Sequence, residues 1–398
     1  MSFTYSKKIN QYILIYLMFI LISSIFFINK TYLLEVNNSM SEWVINYEGG
    51  FGRRGLLGQL FLIISSTTGI FLKKIILFFI FFIFIFYYFL IYLFFKNLNF
   101  NNFYVFIFFS PIFLIFPIAE LEALARKDML IPLFFLVFCF LYTKFDFKTL
   151  SFILIILFTP LLLIHEVSIF YLPYFYMLIF FKLKTLKISY VLLILTMSVF
   201  FLYIIYLLSN SIHSLDNINY MCEILKNNYE TKCGLGASVL NRSLSDNISE
   251  LFNLKLVDIF RGIWIFFLGS FFLIISIINS EYKNSSVSFI FSKINFQTTL
   301  IISFIPTLIP FFIAVDWGRW FNLSYTMLVL LYFFCIKNKL INFKNTHLIT
   351  LVNQFLKKKI FFITLLFLFC FSWNPKAVYH EDIGSFPIYR ILNKIITH

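Results

Sequence analysis

Charge is what this chain has least of. Asp, Glu, Lys and Arg make up only 13% of its 398 residues, against 61% hydrophobic ones. That scarcity excludes an ordinary soluble domain and points to a multi-spanning membrane protein. Glycine-rich phosphate loops are lacking too: Gly234-Leu235-Gly236 is too short for a P-loop or a dinucleotide fingerprint. There is no HExxH and no paired Asp-x-Asp, so no single stretch carries a metal-binding spacing. Ligands from separate loops can still converge, so no cofactor is expected while a divalent metal stays open. Acids are fewer than bases, 18 against 32, for a net charge of +14. Nucleic acid is nevertheless not the expected partner, because the lysines form short clusters at the ends of apolar runs, as the positive-inside rule produces. Cysteines number five. Cys139, Cys335 and Cys370 lie in apolar runs and read as packing residues. Cys222 and Cys233 share the largest polar loop and are either a disulfide, if that loop faces an oxidising compartment, or two free thiols. No internal repeat and no separate soluble domain is evident. What abounds is phenylalanine, 60 residues, much of it read as lipid-facing filler.

The segment 11–28 follows Lys7 and Lys8 without a small-residue cleavage site and reads as an uncleaved first span. Apolar runs at 11–29, 75–95, 103–119, 129–143, 150–164, 167–181, 188–208, 259–278, 299–314, 320–336 and 360–372 predict an all-α bundle of about 11 transmembrane helices. Several are short for a crossing, which a wet cavity or a thinned bilayer tolerates. The connectors fall into two groups. One is almost purely lysine, including Lys184 and Lys293, with Asp146 and Glu281 its only acids; the other balances acids and bases. The lysine-rich group is placed in the cytoplasm with the N-terminus. The 30–74 loop, the 209–258 loop and the 373–398 tail then fall outside, and the C-terminus with them. This arrangement requires Gln59–Leu72, interrupted by Ser65, Ser66, Thr67 and Thr68, to be an interfacial helix. A crossing there would reverse every face downstream.

On the outer side the arginines gather in small polar islands. In Glu48-Gly49-Gly50-Phe51-Gly52-Arg53-Arg54-Gly55, glycines let backbone approach a ligand beside two guanidiniums. The island reads as an anion cradle with Glu48 beside it, or as a tight turn binding lipid headgroups. In Glu120-Leu121-Glu122-Ala123-Leu124-Ala125-Arg126-Lys127-Asp128, helical spacing would pair Glu122 with Arg126. Alternatively Arg126 and Lys127 contact phosphate while Asp128 orients them. His165-Glu166 supplies an acid or base, or simply caps a helix. In Asp316-Trp317-Gly318-Arg319-Trp320, Asp316 and Arg319 either pair with each other or leave Arg319 for phosphate, and the tryptophans either anchor the interface or stack on sugar. Several guanidiniums on one face suit an anionic substrate, phosphate first.

These ordered motifs, from Gly-Gly-Phe-x-Arg-Arg-Gly-Leu-x-Gly through Arg-Lys-Asp and His-Glu to Asp-Trp-Gly-Arg-Trp, resemble bacterial envelope-polysaccharide membrane proteins of the O-antigen polymerase-like group. The layout is also similar to that of GT-C glycosyltransferases. Their first outer loop holds an acid followed by an amphipathic juxtamembrane helix, positions taken here by Glu48 and 59–72. That acid is often an Asp or an acidic pair, whereas Glu48 stands alone. The resemblance implies glycosyl transfer from an undecaprenyl-(pyro)phosphate-linked saccharide at the periplasmic face, with repeat-unit polymerisation ahead of single-sugar transfer. Membrane lipids and other polysaccharide-assembly proteins are the further expected partners. Arg53, Arg54, Arg126, Lys127 and Arg319 would hold phosphate, with Asp128, Asp316, Trp317 and Trp320 in support. Glu48 is the first choice of base, with Glu166 and His165 behind it. A transporter or flippase for a lipid-linked or anionic solute is the alternative of another class. It would be expected to show repeats and mid-membrane charges.

Overall fold

The computed structural model describes residues 2–33, 38–183, 185, 187–211, 214–234, 236–252, 254–283, 294–344, 346–377, 384–385 and 387–396; Lys184 and Lys293 lie outside these. It is an all-α protein with two small two-stranded ribbons, Ser280–Tyr282 with Ile341–Phe343 and Trp373–Asn374 with Gly384–Ser385. Six helices among the described residues are long and apolar enough to cross a bilayer: Ile9–Lys30 within the first helix, Leu72–Phe95, Phe147–Ile164, Ile188–Ser209, Leu256–Ile278 and Trp317–Lys337.

The expected count of about eleven is therefore not matched by helix length. The runs 103–119, 129–143, 167–181, 299–314 and 360–372 are built from shorter pieces. Asn102–Phe108 breaks into turns before Phe116–Ala119. Leu130–Tyr142 and Lys359–Phe371 have 13 residues each. A 3-10 turn Glu166–Tyr171 leads into Leu172–Lys182, and Phe296–Phe304 tightens into the 3-10 stretch Ile305–Phe312. Proline marks two of these runs. Pro111 lies in the turns that follow Asn102–Phe108, and Pro306 and Pro310, which lack a backbone donor, lie in the 3-10 stretch Ile305–Phe312.

Trp317–Lys337 is the hub, about 83% of its apolar stretch being buried against 22% for Ile188–Ser209, so whatever its first turn carries sits centrally. The polar islands lie where helices start or stop. His165, in extended conformation, ends the helix Phe147–Ile164, and Asp316 precedes the hub helix. The stretch expected to lie at the interface forms the helix Leu56–Thr68. Its 13 residues reach only about 20 Å, too short for a straight crossing. Leu57, Phe61 and Leu62 are buried while Leu60, Ile63 and Ile64 are exposed, so one face packs and the other is open.

In the large loop Cys222 and Cys233 are disulfide-bonded, which settles the alternative left by the sequence. Ser214 caps the helix Leu215–Tyr229 through the Asn217 amide. Beyond the disulfide, the Gly236 amide donates to Ser41 Oγ at 2.8 Å, and a Cβ there would strike the Ser41–Glu42 backbone. The large loop is thus closed down on the first loop.

Candidate functional site: a buried arginine–carboxylate cluster

Four stretches of chain that are distant in sequence meet at one place. Arg54 grips Glu166 in two-point fashion, Nε at 2.9 and 3.0 Å and Nη2 at 2.7 Å. Arg126 donates Nη1 to Glu42 Oε1 at 2.7 Å and Nε to the Glu122 carbonyl at 2.8 Å. Arg319 donates Nε and Nη2 to Asp128 Oδ2 at 2.9 and 2.7 Å and also bonds Asp316. The other oxygen of Asp128 is 2.6 Å from His165 Nε2. Lys127, wholly buried, donates Nζ to the Arg54 carbonyl at 2.8 Å. These are charge-assisted bonds, the strong kind, and the paired Arg geometry could not be copied by Lys.

The local backbone is shaped for this. Arg54 and Ala125 are non-glycine residues in the left-handed region, at φ 66° and 60°. Such conformations persist only when surroundings hold them. Here the Arg54 carbonyl is held by Lys127 and the Ala125 carbonyl by Trp43 Nε1 at 2.6 Å. Arg319 sits in the first turn of the hub helix, where the helix dipole disfavours a cation. Asp128 and Asp316 offset that with negative charge.

The ionisation states follow from burial set against neighbours. Burial alone would raise the Asp128 carboxyl, but Arg319 and His165 hold it far below the ordinary carboxylate range. Burial would likewise raise Glu166 and Glu42. Arg54 outweighs it at Glu166, and Arg126, Arg319 and Arg54 together outweigh it at Glu42, so both lie below their usual values. Burial would lower the His165 imidazole, yet the Asp128 and Glu166 carboxylates beside it raise it. Lys127 is the exception: burial dominates and brings its ammonium down to about 7.

Beside the cluster lies a cavity of about 50 Å³ into which Asp128 and Arg319 face, with Tyr87, Tyr88, Asn322 and Thr326 among its walls. Three buried polar atoms of the cluster have no hydrogen-bond partner among the described residues: Glu42 Oε2, His165 Nδ1 and Trp320 Nε1. His165 Nδ1 is 3.8 Å from Glu166 Oε2, too far for a bond. Buried polar atoms are normally satisfied, so these are places where a ligand's or water's polar atoms fit. Among the described residues no group of three or more His, Cys, Asp or Glu is arranged to hold a metal ion.

Most of the expected site residues are brought together: Arg54, Arg126, Lys127, Asp128, His165, Glu166, Asp316, Arg319 and Trp320. The others take different roles. Glu48 is exposed, accepts from Gln59 Nε2 at 3.1 Å and stands outside the buried network. Arg53 turns instead to the Arg242 carbonyl of the large loop, 2.9 Å away. Trp317 is buried against Gly262 and Phe321 and donates Nε1 to the Phe311 carbonyl at 3.0 Å, as a packing residue does. Trp320 is buried too, under the Arg319 guanidinium at 5.1 Å, which leaves no open sugar-stacking face on either ring. The expected Glu122–Arg126 side-chain pair is absent, because 121–125 is a series of turns and not a helix. Glu42 was missed by sequence reasoning; its signal was a lone acid within Met40-Ser41-Glu42-Trp43-Val44-Ile45, just after the first span. Comparison with protein-family models, with curated proteins and with solved structures finds no match.

Proposed function

We propose that this chain transfers a glycosyl unit from a polyprenyl-(pyro)phosphate-linked saccharide at the outer, periplasmic face of a bacterial inner membrane, joining repeat units as an O-antigen or capsule polymerase does. The observation that carries the reading is the convergence of Arg54, Arg126 and Arg319 from separate stretches, beside a cavity bearing Asp128 and Arg319. In this reading the shorter helices complete about eleven crossings, with the N-terminus inside and the C-terminus outside.

The chemistry asks for two things. As the sugar C1–oxygen bond to phosphate breaks, negative charge grows on the leaving phosphate. Fixed guanidiniums in a water-poor site stabilise it without reorganising. Each guanidinium keeps N–H donors beyond those given to carboxylates. As the acceptor hydroxyl bonds C1, its proton passes to a base. His165, oriented through Nε2 by Asp128 and with Nδ1 unbonded, is one candidate; Glu42, with Oε2 unbonded, is the other. Both are better placed than Glu48. A single-sugar GT-C-type transferase would use the same parts.

The test is elongation of a polyprenyl-pyrophosphate-linked oligosaccharide by the purified chain in nanodiscs. Stepwise longer products support polymerisation, and one added sugar supports the single transfer. Translocation in vesicles without elongation would instead establish the transporter reading.

A further inference from the structure

The C-terminal helix Pro387–Ile396 is amphipathic, yet it is turned the opposite way from a helix that faces water. Its cations point inward. Arg390 Nη1 donates to Glu120 Oε1 at 2.6 Å and to Asn374 Oδ1 at 3.1 Å, and Lys394 Nζ reaches the Ala119 carbonyl at 3.3 Å. Glu120 is itself buried and also accepts from Asn374 Nδ2 at 3.0 Å, with Lys376 Nζ 3.8 Å away. Pro387 and Ile391 are buried on the same inward side. With the cationic side pinned, Tyr389, Leu392 and Ile396, one stripe at helical spacing, are left 65%, 45% and 81% exposed.

The surroundings say what meets that stripe. The tail helix packs on Phe116–Ala119, which in turn packs on the first helix, a candidate span whose Ile22 and Phe26 are themselves open to the outside. An apolar stripe beside a lipid-facing span, on a helix whose cations are already bonded from within, matches the acyl-headgroup boundary. Between this helix and the ion-pair cluster runs a strap. The Gly318 amide donates to the Ala377 carbonyl at 3.1 Å, and the Gly318 Cα lies so close to the Lys376 carbonyl that a Cβ would collide with it.

We infer that the helix Pro387–Ile396 lies in the bilayer surface with Tyr389, Leu392 and Ile396 among phospholipid acyl chains, and so holds the Lys376–Ala377 strap against Gly318, next to Arg319. This goes beyond the proposed reaction and rests only on the chain being a membrane protein.

The experiment uses the full chain in nanodiscs, with bimane on a single cysteine introduced by Leu392→Cys, by Tyr389→Cys or, as the buried inward control, by Ile391→Cys. The native free cysteines Cys139, Cys335 and Cys370 are buried. Dibrominated phosphatidylcholine is expected to quench the labels at 389 and 392 at least about twofold more than the label at 391. Iodide quenching from water at 389 and 392, with no response to brominated lipid, would overturn the inference. Labels shielded from both quenchers would mean that a protein covers the stripe, and would overturn it equally. In a second arm, Leu392→Asp should raise proteolytic cleavage after Lys376 by about fivefold or more. Unchanged cleavage, with the helix no longer quenched, would remove the strap half of the inference.

Discussion

Replacing Asp128 with Asn keeps the side-chain shape and removes the charge that three donors share. His165 Nε2 at 2.6 Å and two Arg319 nitrogens at 2.9 and 2.7 Å all point at this one carboxylate. The Asn amide would place its own N–H groups against one of them. Charge-assisted bonds contribute about 1.5–3 kcal/mol each, and their losses overlap, because Arg319 keeps Asp316. Stranding one member of a buried pair costs about 3–5 kcal/mol, and with Asp316 still on Arg319 the expected loss is at the lower end, about 3 kcal/mol. The side chains of Asp128 and Arg319 are only 13% and 7% exposed, so solvent screening takes little from it. Arg319→Met should cost a similar amount. The double variant should cost well under the sum, by about 2 kcal/mol or more, because neither charge is then stranded. The assay is unfolding in mild detergent, followed by intrinsic tryptophan fluorescence, for wild type, both single variants and the double. Additive losses, or an Asp128→Asn protein as stable as wild type, would refute the claim that this pair holds the cluster together.

Arg54→Lys should lower transfer activity by about a hundredfold while the protein still inserts, because Lys cannot reproduce the two-point grip on Glu166; elongation assays on folded protein check it. Because the His165 pKa is raised on folding, its contribution to stability is full below the unfolded value near 6.5 and is lost as pH rises through the folded value. If His165 is the base, activity runs the other way and climbs over that same interval. His165→Gln should flatten both profiles, whereas a persistent activity limb in that variant would assign the proton to another group such as Glu42. Cys222→Ser opens an 11-residue separation and should cost about 2–3 kcal/mol. Alkylation of the unfolded wild-type chain without reductant should find only Cys139, Cys335 and Cys370. Gly318→Ala should displace the strap at a cost of about 1–3 kcal/mol, read as faster proteolysis after Lys376.

The bundle was legible because lipid leaves a compositional trace: long apolar runs bounded by lysine. The number of full-length helices was not, because apolar content does not report where a run turns at Pro111 or tightens into a 3-10 stretch at Pro306. A short helix separate from the next span was legible near 59–72 from the length of that run, though it lies at Leu56–Thr68 and includes the Ser-Ser-Thr-Thr stretch. The arginine islands could be picked out one at a time, since a guanidinium in such surroundings has few neutral explanations. Their partners could not. Arg54 with Glu166 and Arg126 with Glu42 are tertiary pairings that carry no local spacing, so a helical Glu122–Arg126 pair was the only visible option. Glu42 escaped notice for the same reason that makes it interesting: a lone acid amid apolar neighbours declares nothing until Arg126 arrives beside it.

The separations between partners set an order of events during synthesis. Asp128 bonds a guanidinium made 191 residues later, and Glu120 one made 270 residues later. Until the hub helix leaves the ribosome, Asp128 has only His165 to neutralise it and is otherwise left to the insertion machinery or to water. The centre of this protein is therefore closed last by its hub helix, and a chain cut between Glu166 and Arg319 would hold the Arg126–Glu42 and Arg54–Glu166 pairs but leave Asp128 without its guanidinium.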